Sequence, residues 1–463
     1  MKKSVVVVGL DTKSWAIGLE VALSLKMRNQ EVVIIDISKF KGRRPRSINR
    51  ILFERKFIKK HKILLFKLKP KLNFFYNPSD IIKLPKSIEI LKGLTVEGVI
   101  VGNIIHAHFS ALFGTDNFQI EAISKSDFEK ITLKITHFLR SMNEFQKNKA
   151  FDIDSLYVFN GRTILEGLCV QIAKDSGSRT LIFERASRSN KFEVYSKSPH
   201  TNQEWWNKIR SFLHQVDSGG IDIDWRAVDL YMNSRSVGFD PWQKIKWRSY
   251  MDSGLMDYNI VGPYIAFFSV STGEVSPFKE YESQGGYRTQ FEALKDLVEE
   301  STRLNFKIVI RRHPNSLGID KVDRESDLWK EFMFHENVIY IGPTSRVDSY
   351  QVAKNAFACF TWRSTIGFDT LVLGIPSYAL GPAKWAFDDS VRAWSKDKLI
   401  EVLKQPEMPN LKIVEGFGIY MTHFGNECLI FNNIERWGVV TKTNRKIYNL
   451  LFFRIISVIE SLI

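Results

Sequence analysis

Short runs of apolar residues alternate with amphipathic stretches along the chain. The first run, Ser4–Leu10, is continuous and rich in valine, which is typical of a strand buried in a parallel sheet. A helical pattern from about Trp15 to Lys26 follows it, and a second apolar run, Glu31–Ser38, comes next. Strand, helix and strand within about 35 residues predict a βαβ unit.

The same alternation continues and then starts again in the second half of the chain. Between residues 202 and 257 the pattern is instead helical, polar and rich in tryptophan. The further strands predicted on either side of this stretch are VEGVIVGN (96–103), Leu156–Asn160, Arg179–Glu184, Tyr264–Ser271, Phe306–Arg311, Asn337–Gly342, Ala356–Thr361 and Ile375–Leu380. Helical patterns, such as Thr163–Lys174 and the stretch from about Tyr287 to Asn305, lie between them.

Two successive series of alternating strands and helices predict an α/β protein with two Rossmann-like domains that face each other across a cleft. We expect the first domain to span 1–255 and the second 256–410. The tail, 411–463, ends in an apolar helical pattern. We expect it to return to the first domain through a C-terminal helix.

Composition agrees with a chain of two ordinary cores. The chain has 463 residues, of which 44% are hydrophobic and 25% charged. It has no apolar run of 18 residues, and the valine run at the N-terminus is too short for a signal peptide. The three cysteines, Cys169, Cys359 and Cys428, predict neither a disulfide framework nor a zinc site, and we expect a cytoplasmic protein.

The net charge of +15 is concentrated in one segment. Residues 39–71 contain 14 Lys or Arg and a single acidic residue, Glu54. Phenylalanine and isoleucine are interleaved with these charges, so the segment has an apolar side as well. Such a block attracts anionic membrane surfaces or nucleic acid, or it is simply the solvated face of a core helix. We expect contact with the inner face of the cytoplasmic membrane and no nucleic acid, because RNA-binding motifs are missing.

The turn WRST is the first candidate for ligand chemistry. It follows the predicted strand Ala356–Thr361 and precedes a helix that begins near Ile366. Ser364 and Thr365 therefore lie where unpaired amides and hydroxyls can hold a phosphate, unless they only cap the helix. Asp369 follows one turn later, within reach of a ribose hydroxyl.

Two more candidates follow predicted strands of the same half. In KIVIRRHPNS, Arg311, Arg312 and His313 come directly after a strand, where they suit a phosphate or a carboxylate, or form a solvated charge pair. In FFSVSTGE, Ser271 and Glu274 stand at a strand-to-helix turn of a kind that can also cradle phosphate.

Other motifs are missing or weak. The sequence has no GxxxxGK[ST], no GxSxG, and no GxGxxG after its first strand, which argues against a P-loop, an esterase-type hydrolase and a nicotinamide cofactor. His106 and His108 form only a pair on a predicted strand, and we expect them to be structural. We therefore expect neither a cofactor nor a required metal.

The middle part of the chain resembles a known family. The matching segments are NGR (160–162), FERA followed by Asn190, SVSTGE, Gln290, IRRHP, DSY and WRSTIGFDTLVLGIP. Over about residues 155–385 they resemble bacterial surface-carbohydrate and capsule-polysaccharide biosynthesis proteins, which are similar to glycosyltransferases of the GT-B architecture. Asp369 stands where that pattern usually has glutamate.

The resemblance implies a glycosyltransferase that moves a sugar from a nucleotide-sugar donor to a growing surface polysaccharide or lipid-linked acceptor. Hexosyl and Kdo-type transfer both stay open. In this architecture, Glu184, at the end of its strand, or Asp11, after the first strand, is placed to act as the general base. The alternatives are a sugar-nucleotide epimerase of the same plan and a non-catalytic protein that binds carbohydrate or nucleic acid.

Overall fold

A computed structural model describes residues 2–9, 11–41, 48–68, 81–148, 151–196, 202–242, 245–246, 260, 262–274, 286–434, 438–443 and 446–448. The chain divides into two compact units. The first contains Met1–His108, Gln119–Pro199 and Gly425–Ile463, and the second contains Phe109–Phe118 and His200–Phe424.

The described residues form short strands connected mainly by helices. The strands are β1 (Lys2–Val8), β2 (Val32–Asp36), β3 (Leu64–Lys67), β4 (Thr95–Val96), β5 (Val99–Ile100), β6 (Asp152–Phe159), β7 (Arg179–Arg185), β8 (Lys191–Tyr195), β9 (Phe239–Asp240), β10 (Ile245–Lys246), β11 (Tyr264–Phe268), β12 (Lys307–Arg311), β13 (Val338–Ile341), β14 (Ala358–Thr361), β15 (Ser377–Ala379), β16 (Asn426–Glu427), β17 (Phe431–Ile434), β18 (Gly438–Thr441) and β19 (Lys446–Tyr448). The α-helices are α1 (Thr12–Met27), α2 (Ile48–His61), α3 (Ile88–Lys92), α4 (Gly102–Phe113), α5 (Lys125–Asn148), α6 (Ile164–Asp175), α7 (Asn202–Asp217), α8 (Trp225–Ser236), α9 (Gln290–Arg303), α10 (Ser326–Met333), α11 (Ser349–Lys354), α12 (Ile366–Val372), α13 (Lys396–Lys404) and α14 (Leu411–His423).

The first unit is built on a seven-stranded sheet in the order β3-β2-β1-β6-β7-β8-β16. Five of its strands are parallel: β3, β2, β1, β6 and β7. At the far edge, β8 pairs antiparallel with β7, and β16 pairs antiparallel with β8. Val5–Val8 are almost fully buried, as expected of a central parallel strand covered on both faces. A Cβ at Gly18 of α1 would come within 2.5 Å of Val8, so glycine lets this helix lie close on β1.

The second unit repeats the plan with a five-stranded parallel sheet in the order β13-β12-β11-β14-β15. In both sheets the chain starts in the middle, runs out to one edge and then returns to the other side of the starting strand. This is the Rossmann strand order, which leaves a crevice where the direction reverses. The prediction of an α/β protein with two Rossmann-like sheets is confirmed.

A helical layer also belongs to the second unit. Helices α7, α8 and α14 pack with α12 around a core rich in large aromatic side chains, including Trp206, Tyr231, Phe368, Trp385 and Tyr420. From the tryptophan-rich stretch of the sequence, Trp206 thus lies in this core, whereas Trp225 is exposed.

Part of the sequence prediction was wrong. VEGVIVGN does not form a strand of a parallel sheet: it holds β4 in part, the antiparallel partner β5 and the start of α4. The left-handed pair Glu97 and Gly98, with φ of 49° and 78°, turns this short hairpin.

The expected domain boundary near residue 255 lies outside the described residues. Helices α7 and α8, before it, and α14, after residue 410, pack in the second unit, whereas the chain from Gly425 onward belongs to the first. There β16 pairs with β8, and the antiparallel sheet β17-β18-β19 packs against α1. The apolar C-terminal helix of the prediction also lies outside the described residues.

Candidate functional site

A cavity of about 530 Å³ opens at the carboxyl edge of the second sheet. The ends of β11, β12 and β14 contribute to its walls, together with α11 and α12. It therefore lies where the strand order reverses, between β11 and β14. The residues that line it are Phe268, Ser269, Arg311, Arg312, His313, Pro314, Asn315, Lys321, Ser349, Tyr350, Ser364, Thr365, Ile366 and Asp369. The RRHP and WRST segments thus meet at one cavity.

The Arg311 guanidinium is held by backbone carbonyls. Its Nη1 donates to the carbonyl oxygens of Arg312 and Gly342 at 3.1 and 2.7 Å, and its Nη2 donates to that of Ser345 at 2.9 Å. The residue is only 3% exposed. These bonds tie the turn after β13 to the end of β12. Arg311 thus gives the cavity a positive wall while its hydrogen bonds organise the backbone.

Arg312 is fully buried, and two carboxylates and an aromatic ring offset its positive charge. Its Nη1 donates to Asp323 at 2.6 Å, and its Nη2 donates to Glu325 at 3.3 Å. Its guanidinium also lies 4.6 Å from the centroid of the Trp329 ring. A buried cation that loses such partners is strongly destabilising. Arg312 therefore fixes the loop between β12 and α10 and brings little uncompensated charge to the cavity.

His313 is fixed in orientation by its neighbours. Its backbone N–H donates to Ser269 Oγ at 2.8 Å, and its ring Nδ1 accepts from the backbone N–H of Asn315 at 3.1 Å. Because Nδ1 accepts this bond, the neutral ring carries its hydrogen on Nε2. His313 can therefore donate one hydrogen bond without being protonated.

Ser364 and Thr365 lie on the opposite side of the switch point, after β14. The Ser364 backbone is held at both ends, since its N–H donates to Thr361 Oγ1 and its carbonyl accepts from Trp385 Nε1. Thr365 occupies the N-cap position of α12 in helical conformation, and its side chain makes no capping hydrogen bond. Helix α12 has only seven residues, so two hydroxyls, rather than a long helix, define this wall.

Asp369 is buried at the back of the cavity and already has strong partners. Arg235 of α8 donates from Nη2 and Nε to Asp369 Oδ1 at 2.5 and 2.6 Å. The Tyr350 hydroxyl donates to Oδ2 at 2.8 Å. Burial raises the pKa of the Asp369 carboxyl, and the Arg235 guanidinium opposes that shift. Asp369 thus joins α8, α11 and α12, and its expected ribose contact stays a prediction.

Of the other two predicted donor-binding residues, Ser271 is not among the described residues that line the cavity, and the Glu274 side chain is not described. Ser271 is buried, and its hydroxyl donates to the carbonyl oxygen of Gly114 at 2.8 Å. Glu274 ends the 3-10 helix Thr272–Glu274. The turn therefore meets the chain segment that follows α4.

The cavity also contains residues that the sequence analysis missed. Ser349 and Tyr350 belong to the DSY motif of the family resemblance, which was the available signal. Lys321 and Asn315 come from the loop after RRHP, where a polar stretch gave no periodic or motif signal. Ser269 directs its hydroxyl to the backbone of His313, a role visible only in the fold.

The two candidate bases lie in the first unit. Glu184 is the penultimate residue of β7 and is partly buried, and its Oε2 accepts from Asn160 Nδ2 at 2.5 Å. Burial raises the pKa of the Glu184 carboxyl, against the hydrogen bond from Asn160 and the charge of Lys13. Asp11 is exposed and caps α1, where its Oδ1 accepts from the Ser14 backbone N–H at 2.8 Å.

The described histidines and cysteines outside the cavity do not form a metal site. His106 and His108 lie on α4 rather than on the predicted strand. Burial lowers the pKa of His108. All three cysteines are free and buried, and burial raises the pKa of Cys359 to about 12. Among the described residues, no three His, Cys, Asp or Glu side chains are grouped as a metal site requires, and no helix is long and apolar enough to cross a membrane.

Several solved structures are similar to this chain. One is the Thermosulfurimonas dismutans KpsC beta Kdo 2,4 transferase, with 9% sequence identity, coverage of 58% of this chain and 79% of that chain, and a TM-score of 0.37. Another is the Thermosulfurimonas dismutans KpsC beta Kdo 2,7 transferase, with 15% identity, coverage of 67% of this chain and 86% of that chain, and a TM-score of 0.34. A third is the Methanocaldococcus jannaschii UDP-GlcNAc 2-epimerase in complex with UDP-GlcNAc and UDP, with 13% identity, coverage of 90% of this chain and 98% of that chain, and a TM-score of 0.28. With TM-scores below 0.5, these similarities identify neither the reaction nor the substrate of this chain.

No protein-family model matches the chain, and no curated protein matches its sequence.

Proposed function

We propose that the protein is a glycosyltransferase whose second unit binds the nucleotide part of a sugar donor. The observation that supports this most is the position of the cavity. It lies at the reversal point of a Rossmann-ordered parallel sheet, where α/β proteins bind nucleotides. Its volume of about 530 Å³ is within the range of small-ligand sites.

The polar groups of the cavity suit a phosphate ester. His313 offers an Nε2 hydrogen, and Ser364 and Thr365 offer hydroxyls from the facing wall. The buried Arg311 supplies positive potential behind them. Such preorganised donors stabilise the charge that develops on a departing phosphate.

The acceptor would be activated in the first unit. Glu184 is our first candidate because burial raises its pKa toward the working range of a general base. Asp11 is the second candidate, although the α1 cap uses one of its oxygens. The acceptor itself is a surface polysaccharide or a lipid-linked sugar in this proposal.

The basic segment supports a peripheral membrane contact. Within α2, Arg50, Glu54 and Phe57 are buried, whereas an exposed stripe follows helical spacing. The exposed stripe of α2 consists of Leu52, Arg55, Lys56, Lys59 and Lys60. On the adjacent edge strand β3, Leu64 and Phe66 are also exposed. Basic and apolar side chains together suit an anionic lipid surface.

Vesicle co-sedimentation tests this contact. Binding should rise with the anionic lipid fraction and fall with salt, because each basic residue near such a surface contributes about 1 kcal/mol. The triple variant Lys56→Glu, Lys59→Glu, Lys60→Glu should bind far less. The matched control reverses three exposed lysines of the second unit, Lys330, Lys354 and Lys404. Equal loss in both triple variants would contradict a specific surface.

Titration calorimetry against UDP-, GDP-, CMP- and CDP-sugars tests donor binding, and product analysis with and without acceptor tests the reaction. Transfer that requires an acceptor supports the proposal. Isomerisation of the donor without acceptor would instead assign an epimerase. Failure to bind any nucleotide sugar would favour a non-catalytic carbohydrate-binding or nucleic-acid-binding protein.

A further inference from the structure

Three basic side chains besides His313 line the cavity, and they differ in what already holds them. The guanidinium of Arg311 donates to three backbone carbonyls, and that of Arg312 pairs with Asp323 and Glu325. Both arginines are buried. Lys321 is exposed, and within the described part of the chain the structure gives its ammonium neither a hydrogen bond nor an ion pair.

The loop that carries Lys321 is fixed on the N-terminal side of this residue. Gly318 has φ of 65°, and a Cβ there would come within 2.5 Å of the Phe113 backbone, so the two chain segments touch at main-chain distance. Directly after it, the Ile319 N–H donates to the carbonyl oxygen of Leu112 at 2.9 Å. The loop therefore has a rigid support two residues before Lys321.

The C-terminal side of the loop is fixed as well. Arg324 pairs with Asp320 at 2.5 Å and lies 4.0 Å from the centroid of the Phe113 ring. The next residue, Glu325, is buried and accepts hydrogen bonds from Thr115 at 2.8 Å and from Thr272 at 2.9 Å. Lys321 thus stands on an anchored turn.

The backbone of Lys321 itself is unusual. Its φ of 60° lies in the left-handed region, which is uncommon for residues other than glycine, asparagine and aspartate. Such conformations persist where the surrounding structure enforces them, and they occur often at ligand sites. Here the anchors on both sides enforce it, and a cationic side chain is presented at the cavity.

We propose that Lys321 is the cation that directly contacts the phosphate of the bound ligand, while the two arginines shape the cavity. This inference rests on the proposed function and names the residue that recognises the charged part of the donor. A lysine ammonium is a compact point charge with three rotatable hydrogen-bond donors. From the exposed position of Lys321, such a group can reach a phosphate oxygen in the cavity. His313, Ser364 and Thr365 then provide the neutral hydrogen bonds.

Titration calorimetry on the full chain, with UDP, CMP and inorganic pyrophosphate as separate probes, tests this. Lys321→Gln should weaken binding of the charged probes by about tenfold, as expected for the loss of one charge-assisted contact. Lys321→Arg keeps the charge and should restore most of the affinity. Lys354→Gln, an exposed lysine of the same unit outside the cavity lining, is the matched control and should bind like the wild type.

Two further readouts separate a binding role from a structural one. Because the side chain is exposed, the thermal midpoint of Lys321→Gln should equal that of the wild type. Its affinity should also depend less on salt, since one exposed charge contact is gone. A changed midpoint with unchanged salt dependence would contradict direct contact.

Each outcome assigns failure to one proposal or to both. Nucleotide binding that is unchanged in Lys321→Gln would overturn the role of Lys321 and leave the proposed function standing. Binding of pyrophosphate that depends on Lys321, without any nucleotide binding, would keep the role of Lys321 and remove the proposed function. Binding of none of the three probes to the wild type would overturn both.

Discussion

The two units share a strand order but use the carboxyl ends of their strands differently. In the second unit, side chains after β11, β12 and β14 surround a cavity. In the first, the corresponding ends carry Asn160, bonded to Glu184, and Asp11, which caps α1. The same sheet plan thus supports a ligand-sized cavity in one unit and a small set of carboxylates in the other. Strand order therefore locates candidate sites, while the bonds of individual side chains decide what each site can do.

The units also differ in how a buried charge is used. Arg312 in the second unit organises a loop that lines the cavity. Glu20 in the first accepts hydrogen bonds from the backbone N–H groups of Leu429, Ile430 and Phe431, at 2.7, 2.8 and 2.9 Å. It therefore fastens the returning C-terminal part of the chain to α1.

The largest expected effect concerns Arg312. Arg312→Ala would leave the buried Glu325 without its cation, which typically costs about 3–5 kcal/mol in free energy of unfolding. Thermal and denaturant unfolding should show this loss. Lys330→Ala, which breaks an exposed ion pair with Asp327, is the control and should change stability by less than about 1 kcal/mol. A stable Arg312→Ala protein that only binds donor poorly would show that Arg312 is a ligand contact instead.

Glu184→Gln should reduce turnover by roughly 100-fold or more, the range for loss of a general base. Donor affinity should stay near the wild-type value, because the donor is assigned to the second unit. Steady-state kinetics combined with calorimetry measures both quantities. Should Asp11→Asn be the variant that loses turnover, the base is Asp11.

Glu20 predicts a pH dependence of stability. Burial raises its pKa from 4.5 to about 7, against three backbone hydrogen bonds and the charge of Lys442. Between these values the folded state binds a proton that the unfolded state has released, so this group lowers stability as pH rises. The decline should reach about 2–3 kcal/mol by pH 7.

The Glu20→Gln variant isolates this contribution. Its one carbonyl oxygen can still accept from Ile430 and Phe431, while its amide nitrogen would face the Leu429 N–H. The variant therefore carries a penalty that does not change with pH. The difference in unfolding free energy between wild type and variant should vary across pH 4.5–7. A constant difference would contradict the raised pKa.

The smallest effect is expected at the cavity hydroxyls. Ser364→Ala should weaken donor binding about fivefold, corresponding to roughly 1 kcal/mol for one neutral hydrogen bond. Thr365→Val, which keeps the shape of the side chain, should act similarly. Ser271→Ala is the control, because its hydroxyl bonds to Gly114 away from the cavity lining. A larger loss for Ser271→Ala in a folded protein would move the site toward that turn.

Much of the fold follows from local pattern. The apolar runs predicted β1, β2, β7, β11, β12 and β13 because buried parallel strands are continuous and valine- or isoleucine-rich. The strand prediction for VEGVIVGN was wrong because a short apolar run does not distinguish a parallel strand from a hairpin that leads into a helix. The membership of α7 and α8 in the second unit depends on tertiary packing with α12 and α14, which periodicity does not report.

The meeting of RRHP and WRST at one cavity could be expected from the sequence, whereas the hydrogen-bond partners of their side chains could not. Strand-end segments converge in any parallel sheet, so RRHP and WRST could be expected to meet. That Arg311 binds carbonyls, Arg312 binds carboxylates and Asp369 binds Arg235 depends on residues distant in sequence. Lys321 gave no signal in the sequence, because its place in the cavity lining depends on the contacts that anchor its loop on both sides.

Hydrogen exchange with and without a bound nucleotide sugar shows which unit binds the donor, because it compares both units in one experiment. The ligand should slow exchange in the segments that line the cavity of the second unit, 311–321, 349–350 and 364–369. Glu184→Gln should leave that protection unchanged. Protection confined to the first unit, around the ends of β1 and β6, would contradict the assignment of the donor site to the second.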